Sequence, residues 1–328
     1  MIFFGLDGGA SKTDIIVANC EGTVLAATRD KGSNYSSLGG AENFRRAITQ
    51  YVTKALDKAQ LNASALTEAA FGLPTYGEVE ETEEIIPAIL HDLLPHCKID
   101  IVNDAVVGWS GSLGGRPGIN IAAGTGSIGY GIDEKNNQAR VGGWSTLFSD
   151  EGSCSWIGIR AMVMFFKQSD GRLPRTILYD IFKEAFHLTK KDIYFLDNFL
   201  GRFRTDKSEY AKMQLLAYQA YLQGDPTIEP LYDRAAWELS ELVRALIRKL
   251  EFSNSVPVQV SYSGSLFKVG ELILAPFRKY LSDMNVELVP PAYPPNIGAV
   301  ALAARNHLDK AKLATMLCHI STSLNDQG

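Results

Sequence analysis

The sequence predicts an α/β chain in which one fold is present twice. Three observations lead there: strand and helix patterns alternate along 328 residues; two apolar strands each run through a glycine-rich turn into a second strand; and the two hairpins open the two halves of the chain at corresponding places. This length favours about two domains, each able to hold its own core.

The elements can be justified in order. Apolar and β-branched runs at 2–7, 13–19 and 23–28, separated by "GGASK" and "EG", predict an antiparallel meander. Over 41–59, Phe44, Ala47, Ile48, Tyr51, Val52, Ala55 and Leu56 keep the spacing of one buried helix face. A short strand (69–73), a helix (about 80–95), a strand "KIDIVND" (98–104) and a small-residue helix (105–113) follow. After the break "GGRPG", residues 119–143 repeat the order strand, glycine turn, strand, polar turn, strand. An almost wholly apolar helix (155–166), a helix-rich stretch (174–251), a strand (256–264), a helix (269–282), a strand (286–289) and a last helix (296–308) complete the pattern; beyond about 312 no strong pattern remains.

Composition narrows the function. With 46% hydrophobic residues, 21% charged residues and a net charge of -5, the chain carries no basic block that would attract nucleic acid or an anionic membrane. No segment reaches the roughly 18 apolar residues of a membrane span, and no signal-peptide pattern precedes the first strand. Cys20, Cys97, Cys154 and Cys318 form no C-x-x-C and fit a reducing compartment, so the expectation is a cytoplasmic protein with small-molecule partners.

The opening stretch "FFGLDGGASKTD" asks which kind of phosphate loop it is. A Walker loop needs glycine directly before Lys-[ST], and a dinucleotide fingerprint needs G-x-G-x-x-G; here Ser11 precedes Lys12 and only Gly8 and Gly9 are adjacent. Both of those loops open a helix, whereas "TDIIVAN" reads as a strand. Two glycine turns, "GLDGGASKT" and "AAGTGS", in equivalent places suggest a clamp whose backbone N–H groups approach phosphate oxygens. Taken singly, either could be a plain hairpin turn.

With these motifs in view, the chain resembles the sugar kinase, Hsp70 and actin superfamily and, within it, the N-acetylglucosamine kinase branch of the BadF/BadG/BcrA/BcrD ATPases. The likeness runs through "GLDGGASKT", "SNYSSLG", "VNDAVVG", "AAGTGS", "GGWSTLFSDEGSCSWIG", "YLQGDP", "YSGSLFK" and "PPNIGAVALAAR" and covers nearly the whole chain. It implies two ribonuclease H-like α/β domains of the duplicated actin/hexokinase type with an active-site cleft between them. Residues 1–115 would form the first, joined by a C-terminal helix at about 296–310, and 116–295 the second, with a helical insertion. The Ala- and Gly-rich helix after Pro294-Pro295-Asn296 would allow close interdomain packing.

The resemblance also implies roles. Asp104, at the end of a core strand and before a helix, would be the base that accepts the sugar hydroxyl proton; from the residues alone it could equally be a helix N-cap. Asp7 would orient Mg²⁺ through water. ATP would meet Gly8, Gly9, Lys12 and Thr13 at one turn, and Gly124, Thr125 and Gly126 at the other; from the residues alone, Lys12 could equally be a solvated turn lysine. Ala211 and Gly264 would flank the base, Gly264 because a side chain there would obstruct an adenine. The sugar would meet Asn34, Ser127, Ile128, Gly143, Trp144, Ser145 and Asp150. From the residues alone, Trp144 could be a core tryptophan and Asp150 an N-cap. Where the family's sugar site has asparagine this chain has Ile128, and where it has glycine this chain has Ser145. Both departures fall in the acceptor site and leave glucosamine, N-acetylglucosamine and N-acetylmuramic acid open.

The expected protein is therefore an Mg²⁺-requiring, ATP-dependent amino-sugar kinase, homodimeric as the family implies, that closes on its sugar to exclude water. A competing reading is the family's ATPase activator of 2-hydroxyacyl-CoA dehydratases or benzoyl-CoA reductases, which needs interface cysteine thiolates for a shared iron–sulfur cluster. A sugar-sensing regulator on the same fold would need an added helix-turn-helix, for which a strand beginning at Ile2 leaves no room.

Overall fold

The computed structural model of the chain describes residues 1–10, 12–203 and 208–325. It divides into two compact units, Met1–Pro117 with Pro290–Gly328, and Gly118–Val289.

Unit 1 opens with β1 (Ile2–Gly8), β2 (Lys12–Asn19) and β3 (Val24–Lys31), followed by α1 (Tyr35–Leu38), α2 (Ala41–Ala59), β4 (Glu68–Gly72), α3 (Thr82–Leu93), β5 (Lys98–Val102) and α4 (Asp104–Leu113). Unit 2 repeats the scheme with β6 (Gly118–Ala123), β7 (Ser127–Ile132), β8 (Gln138–Gly142), then α5 (Cys154–Ser169), α6 (Ile177–Ala185), α7 (Phe195–Asn198), α8 (Ser208–Leu222) and α9 (Glu229–Lys249), before β9 (Val258–Ser263), α10 (Glu271–Leu281) and β10 (Val286–Leu288). The chain then returns to unit 1 as α11 (Pro295–Ala304) and α12 (Lys310–Asn325).

The sheet orders are β3-β2-β1-β4-β5 and, read from the matching edge, β8-β7-β6-β9-β10. Each has an antiparallel meander and two parallel strands. Identical order and direction confirm the doubled α/β fold.

Alternation along the strands builds the layers of unit 1. Phe4, Leu6, Ile15 and Val17 face α2 and α3 through Phe44, Ile48, Ile86 and Leu90. Phe3, Ile16 and Ala18 take the other face with Val107 of α4, Val300 of α11 and Met316 of α12. In unit 2 the core adds an aromatic cluster, with Phe165 stacked on Phe182 at 5.3 Å between centroids.

Two expectations are corrected. The strand expected over 98–104 stops at Val102, because the Asn103 side chain accepts from Ala105 N and caps α4, so Asp104 is the first helical residue. Beyond 312, the described residues to Asn325 lie within α12, whose Met316, Leu317 and Ile320 are buried. The close packing expected of the Ala/Gly-rich helix is found inside unit 1. A Cβ on Gly5 would lie 2.4 Å from Val300 N, and one on Gly298 would lie 2.4 Å from both Gly111 N and Val107 O.

Two stability predictions follow from this packing. Gly298→Ala forces backbone apart and is expected to cost roughly 2 kcal/mol or more, read as a lower urea midpoint. Asp225, buried in the "QGDP" turn, accepts from Leu178 N at 2.8 Å and from Thr227 N and Oγ1. Burial alone would raise its carboxyl, but these bonds and one from Thr176 hold it below the ordinary value. A depressed folded pKa gives stability that is present above about pH 4 and lost as pH falls through the folded value. Asp225→Ala is expected to cost roughly 3 kcal/mol at pH 7, with the gap to wild type narrowing below pH 4; a pH-independent gap would contradict the charge argument.

Candidate active site

In unit 1, β1 ends in Asp7 and Gly8, and the turn returns through Lys12 into β2. Gly8 has no room for a side chain: a Cβ there would meet Ser33 Oγ at 2.3 Å and Gly72 O at 2.8 Å. The same alternation that buries Phe3 turns Asp7 to the α4 and α11 face, beside its cross-strand neighbour Asp14.

Asp14 is nearly buried. Burial would raise its carboxyl, but Arg29 Nε at 2.6 Å and Lys12 Nζ at 2.5 Å hold it below the ordinary range. Among the described residues Asp7 has no such ion-pair partner. Burial, and then the charge of Asp104, push its carboxyl up to about 7, against the pull of Lys12. The sequence reading gave Lys12 to the phosphates, whereas here its ammonium is engaged by Asp14.

Asp104 stands at the first helical position of α4, in partial exposure, while Asn103 does the capping. This removes the N-cap alternative for Asp104. Asn103 is in turn anchored through Nδ2 to Tyr76 O and Glu78 Oε1. The expected sugar contact Asn34 caps α1, its side chain accepting from Ser37 N at 2.9 Å. Thr13 is fully buried in β2 opposite Gly8 and Asp30, behind the glycine turn and not on its surface.

In unit 2 the turn Gly124–Gly126 is closed by Gly124 N on Gly126 O at 2.9 Å. The start of α5 is tied to it: Cys154 N donates to Gly124 O and Ser155 N to Thr125 O. The turn therefore sits at a helix N-terminus after all, a place that favours anions, although the helix is not the next element in sequence. Gly126 packs on Asp150, whose Oδ2 would lie 2.8 Å from a Cβ there. Ser127 Oγ donates to Glu151 O at 2.7 Å.

Ser153, not Asp150, caps α5, accepting from Trp156 N. Burial pushes the Asp150 carboxyl above its ordinary value, opposed by hydrogen bonds from the Ser127 N–H and Thr146 Oγ1. Its backbone is left-handed, with φ 59°. Trp144 is 79% exposed, so it is no core residue, and Leu147 and Phe148 beside it are also exposed. Gly143 packs against Ile128 and accepts from Arg140 Nη2 at 2.8 Å. Ser145 Oγ accepts from Leu147 N.

Gly264 follows β9 with φ 102°, and a Cβ there would lie 2.2 Å from Ala123 O. Backbone contact with the neighbouring strand is thus sufficient reason for glycine at this place. Ala211 lies on α8, half-buried against the core of unit 2. Structure brings together in unit 1 Asp7, Gly8, Lys12 and Asp104, and in unit 2 Gly124–Ser127, Ile128, Gly143 and Asp150. Asn103, Asp14 and Arg29 were missed by the sequence reading; the "ND" pair before a helix held the signal for Asn103, since both residues are good N-caps.

A metal has limited purchase on protein atoms alone, since among the described residues no group of three or more His, Cys, Asp or Glu could hold one. A magnesium ion carried mainly by phosphates and water fits this donor set, with Asp7 as the protein carboxylate whose charge a cation would favour. Among the described residues no helix is long and apolar enough to cross a membrane.

Comparison with known proteins agrees with this fold. The chain is 31% identical over 279 residues to the N-acetylmuramic acid/N-acetylglucosamine kinase of Clostridium acetobutylicum, covering 85% of this chain and 89% of that one. It is 26% identical over 317 residues to the N-acetyl-D-glucosamine kinase of Dictyostelium discoideum, covering 92% and 97%. A solved structure from Chromobacterium violaceum, provisionally described as an N-acetylglucosamine kinase, superposes with TM-score 0.72 at 25% identity, covering 92% and 98%. With the family profile matching residues 4–303, the chain belongs to the BadF/BadG/BcrA/BcrD ATPase family.

Proposed function

We propose that this protein transfers the γ-phosphoryl group of ATP to the 6-hydroxyl of N-acetylglucosamine or a close relative, with Asp104 as general base. That it is an ATP-dependent amino-sugar kinase is the coarser statement, which the similarity to amino-sugar kinases already supports. The observation that carries the finer one is the placing of Asp104: a first-turn carboxylate released from capping by Asn103, with Asp7 close enough to feel its charge.

Asp104 takes the proton from the sugar hydroxyl as that oxygen attacks the γ-phosphorus, and the bond to the bridging oxygen breaks to release ADP. Asp7 would orient the water shell of a bound Mg²⁺, which would supply charge neutralisation on the phosphates. The two glycine turns bring backbone N–H groups to the phosphates, other than Gly9 N and Gly124 N, which close their turns on Lys12 O and Gly126 O. Gly143, Trp144, Ser145 and Asp150 hold the sugar, with Asn34, Ser127 and Ile128 completing its contacts. Thr125, Ala211 and Gly264 are assigned to the nucleotide and Lys12 to the charge around its phosphates, while the buried Thr13 supports the turn from behind. Ile128 offers no hydrogen bond where a polar side chain would grip an N-substituent, so the acceptor is expected to be recognised by its ring and by the exposed Trp144 face.

The activator reading needs thiolates exposed at a dimer interface; Cys97 is buried in the core of unit 1 and Cys154 in that of unit 2, while Cys20 is half-buried and Cys318 exposed.

Three outcomes test the proposal. Asp104→Ala is expected to lower kcat by roughly 10² to 10⁴ with its circular dichroism unchanged; near-normal turnover would refute the assignment. ADP release with Mg·ATP should be stimulated by one member of a panel of glucosamine, N-acetylglucosamine, N-acetylmannosamine, N-acetylmuramic acid and glucose, and indifference to all would remove the kinase reading. Asp7, with its folded pKa raised, weakens the ligand-free protein as pH rises towards and through about 7. Asp7→Asn should therefore melt higher than wild type at pH 8 yet be less active, with the melting gap narrowing towards pH 5. A homodimer is expected from the family, and light scattering showing a monomer would count against it.

A further inference from the structure

Unit 1 holds a cavity of about 370 Å³ away from both glycine turns. Its wall is built from the left-handed pair Gly114–Gly115 that ends α4, from Arg116 and Tyr293, and from one face of α12, where Lys310, Leu313, Ala314 and Leu317 follow the i, i+3, i+4, i+7 spacing. Tyr293 is fixed by its N–H on Gly111 O at 3.1 Å, and Ala292 by its N–H on Ser112 O at 2.9 Å. These are the segments beside which the chain leaves unit 1 at Pro117 and re-enters at Pro290.

Two cations face this space. Arg116 spends Nε on Leu113 O at 3.0 Å, and among the described residues neither Arg116 nor Lys310 has a carboxylate partner. The nearest acid in sequence, Asp309, is occupied by Lys312, through its N–H at 2.9 Å and its ammonium at 3.6 Å. Burial, and then the neighbouring Cys318, raise the Tyr293 phenol against the pull of Arg116, so this hydroxyl keeps its proton and can donate. The remaining lining, Leu313, Ala314 and Leu317, is apolar.

The shape is therefore that of a small-molecule pocket with an apolar wall and convergent donors, and its size suits a ligand of metabolite dimensions. Two unneutralised cations and a phenol match a dianion better than a single carboxylate, and guanidinium with ammonium is the usual pairing for phosphate. We propose that this cavity binds a small organic phosphate, of about the size of a hexose phosphate, as a second ligand site at the far end of the helix that begins with Asp104. The site does not rest on the kinase reading, because its occupancy is measured without ATP.

The test is calorimetric titration of the full chain with glucosamine 6-phosphate, glucose 6-phosphate and inorganic phosphate, without nucleotide. One hexose phosphate is expected to bind saturably, unaffected by Asp104→Asn or by saturating free N-acetylglucosamine. Its affinity should fall roughly tenfold or more in the Arg116→Gln/Lys310→Gln double variant, since two charge-assisted contacts are removed. Ala314→Trp, which fills the cavity from an exposed position, should abolish it. Both are surface changes, and unchanged melting would show that they fold. Absence of saturable binding, binding that free sugar displaces, or binding indifferent to the double variant would overturn the proposal. Inorganic phosphate binding as tightly as either hexose phosphate would overturn its assignment to an organic ligand.

Discussion

The backbone contact of α11 with β1 and α4 is the constraint on which unit 1 depends. Gly5, Gly111 and Gly298 let main chains touch where any side chain would separate them: Gly111 would place a Cβ 2.7 Å from Pro294 O, and the other two are tighter. Asp7 is carried by β1 and Asp104 by α4, so the distance between the two carboxylates is set by this packing. A polar pair that repels needs a rigid frame, and interiors at crystal-like density supply one. The raised pKa of Asp7 is the electrostatic trace of that frame.

Duplication divides the work. Both units place a glycine turn between the first two strands of the same five-stranded order, yet they dress it differently. In unit 1 the turn is surrounded by ionised groups, with Asp14 satisfied by Arg29 and Lys12 and Asp7 unsatisfied. In unit 2 the corresponding turn is backed by the N-terminus of α5 and carries neutral groups, Ser127 and Thr125, with one buried acid, Asp150. The first turn is thus lined by charged groups and the second by neutral donors around one buried acid.

Much of this was legible in the sequence because local patterning and tertiary outcome agree. The strand and helix periodicities of 2–59 reappear almost residue for residue, since Phe44, Ile48, Tyr51 and Val52 face a core that also selects them. The two hairpins were readable from β-branched residues after glycine. What was hidden depends on neighbours distant in sequence. Asn103 and Asp104 are both plausible caps, and only backbone geometry decides between them. Gly264 is required by the carbonyl of Ala123, more than a hundred residues away. The helix α12 buries only three residues firmly, too thin a stripe for periodicity to reveal. Thr13 occupies a strand position whose inward direction follows from the alternation, but its place behind the turn emerges only once β1 and β3 flank it.

The discontinuity of unit 1 has a consequence for how the chain is made. One of its two cores joins Phe3, Ile16, Ala70 and Val107 to Ile297, Val300, Leu302 and Met316, partners separated by the whole of unit 2. During synthesis the first sheet must wait with that face uncovered, whereas the second unit can complete itself from a continuous stretch. Contacts of such long sequence separation are slow to close and leave apolar surface exposed meanwhile. The order of assembly is thereby fixed by topology: the unit that begins the chain is the last to finish, and the helix that seals it is also the one that sets the spacing of its two acids.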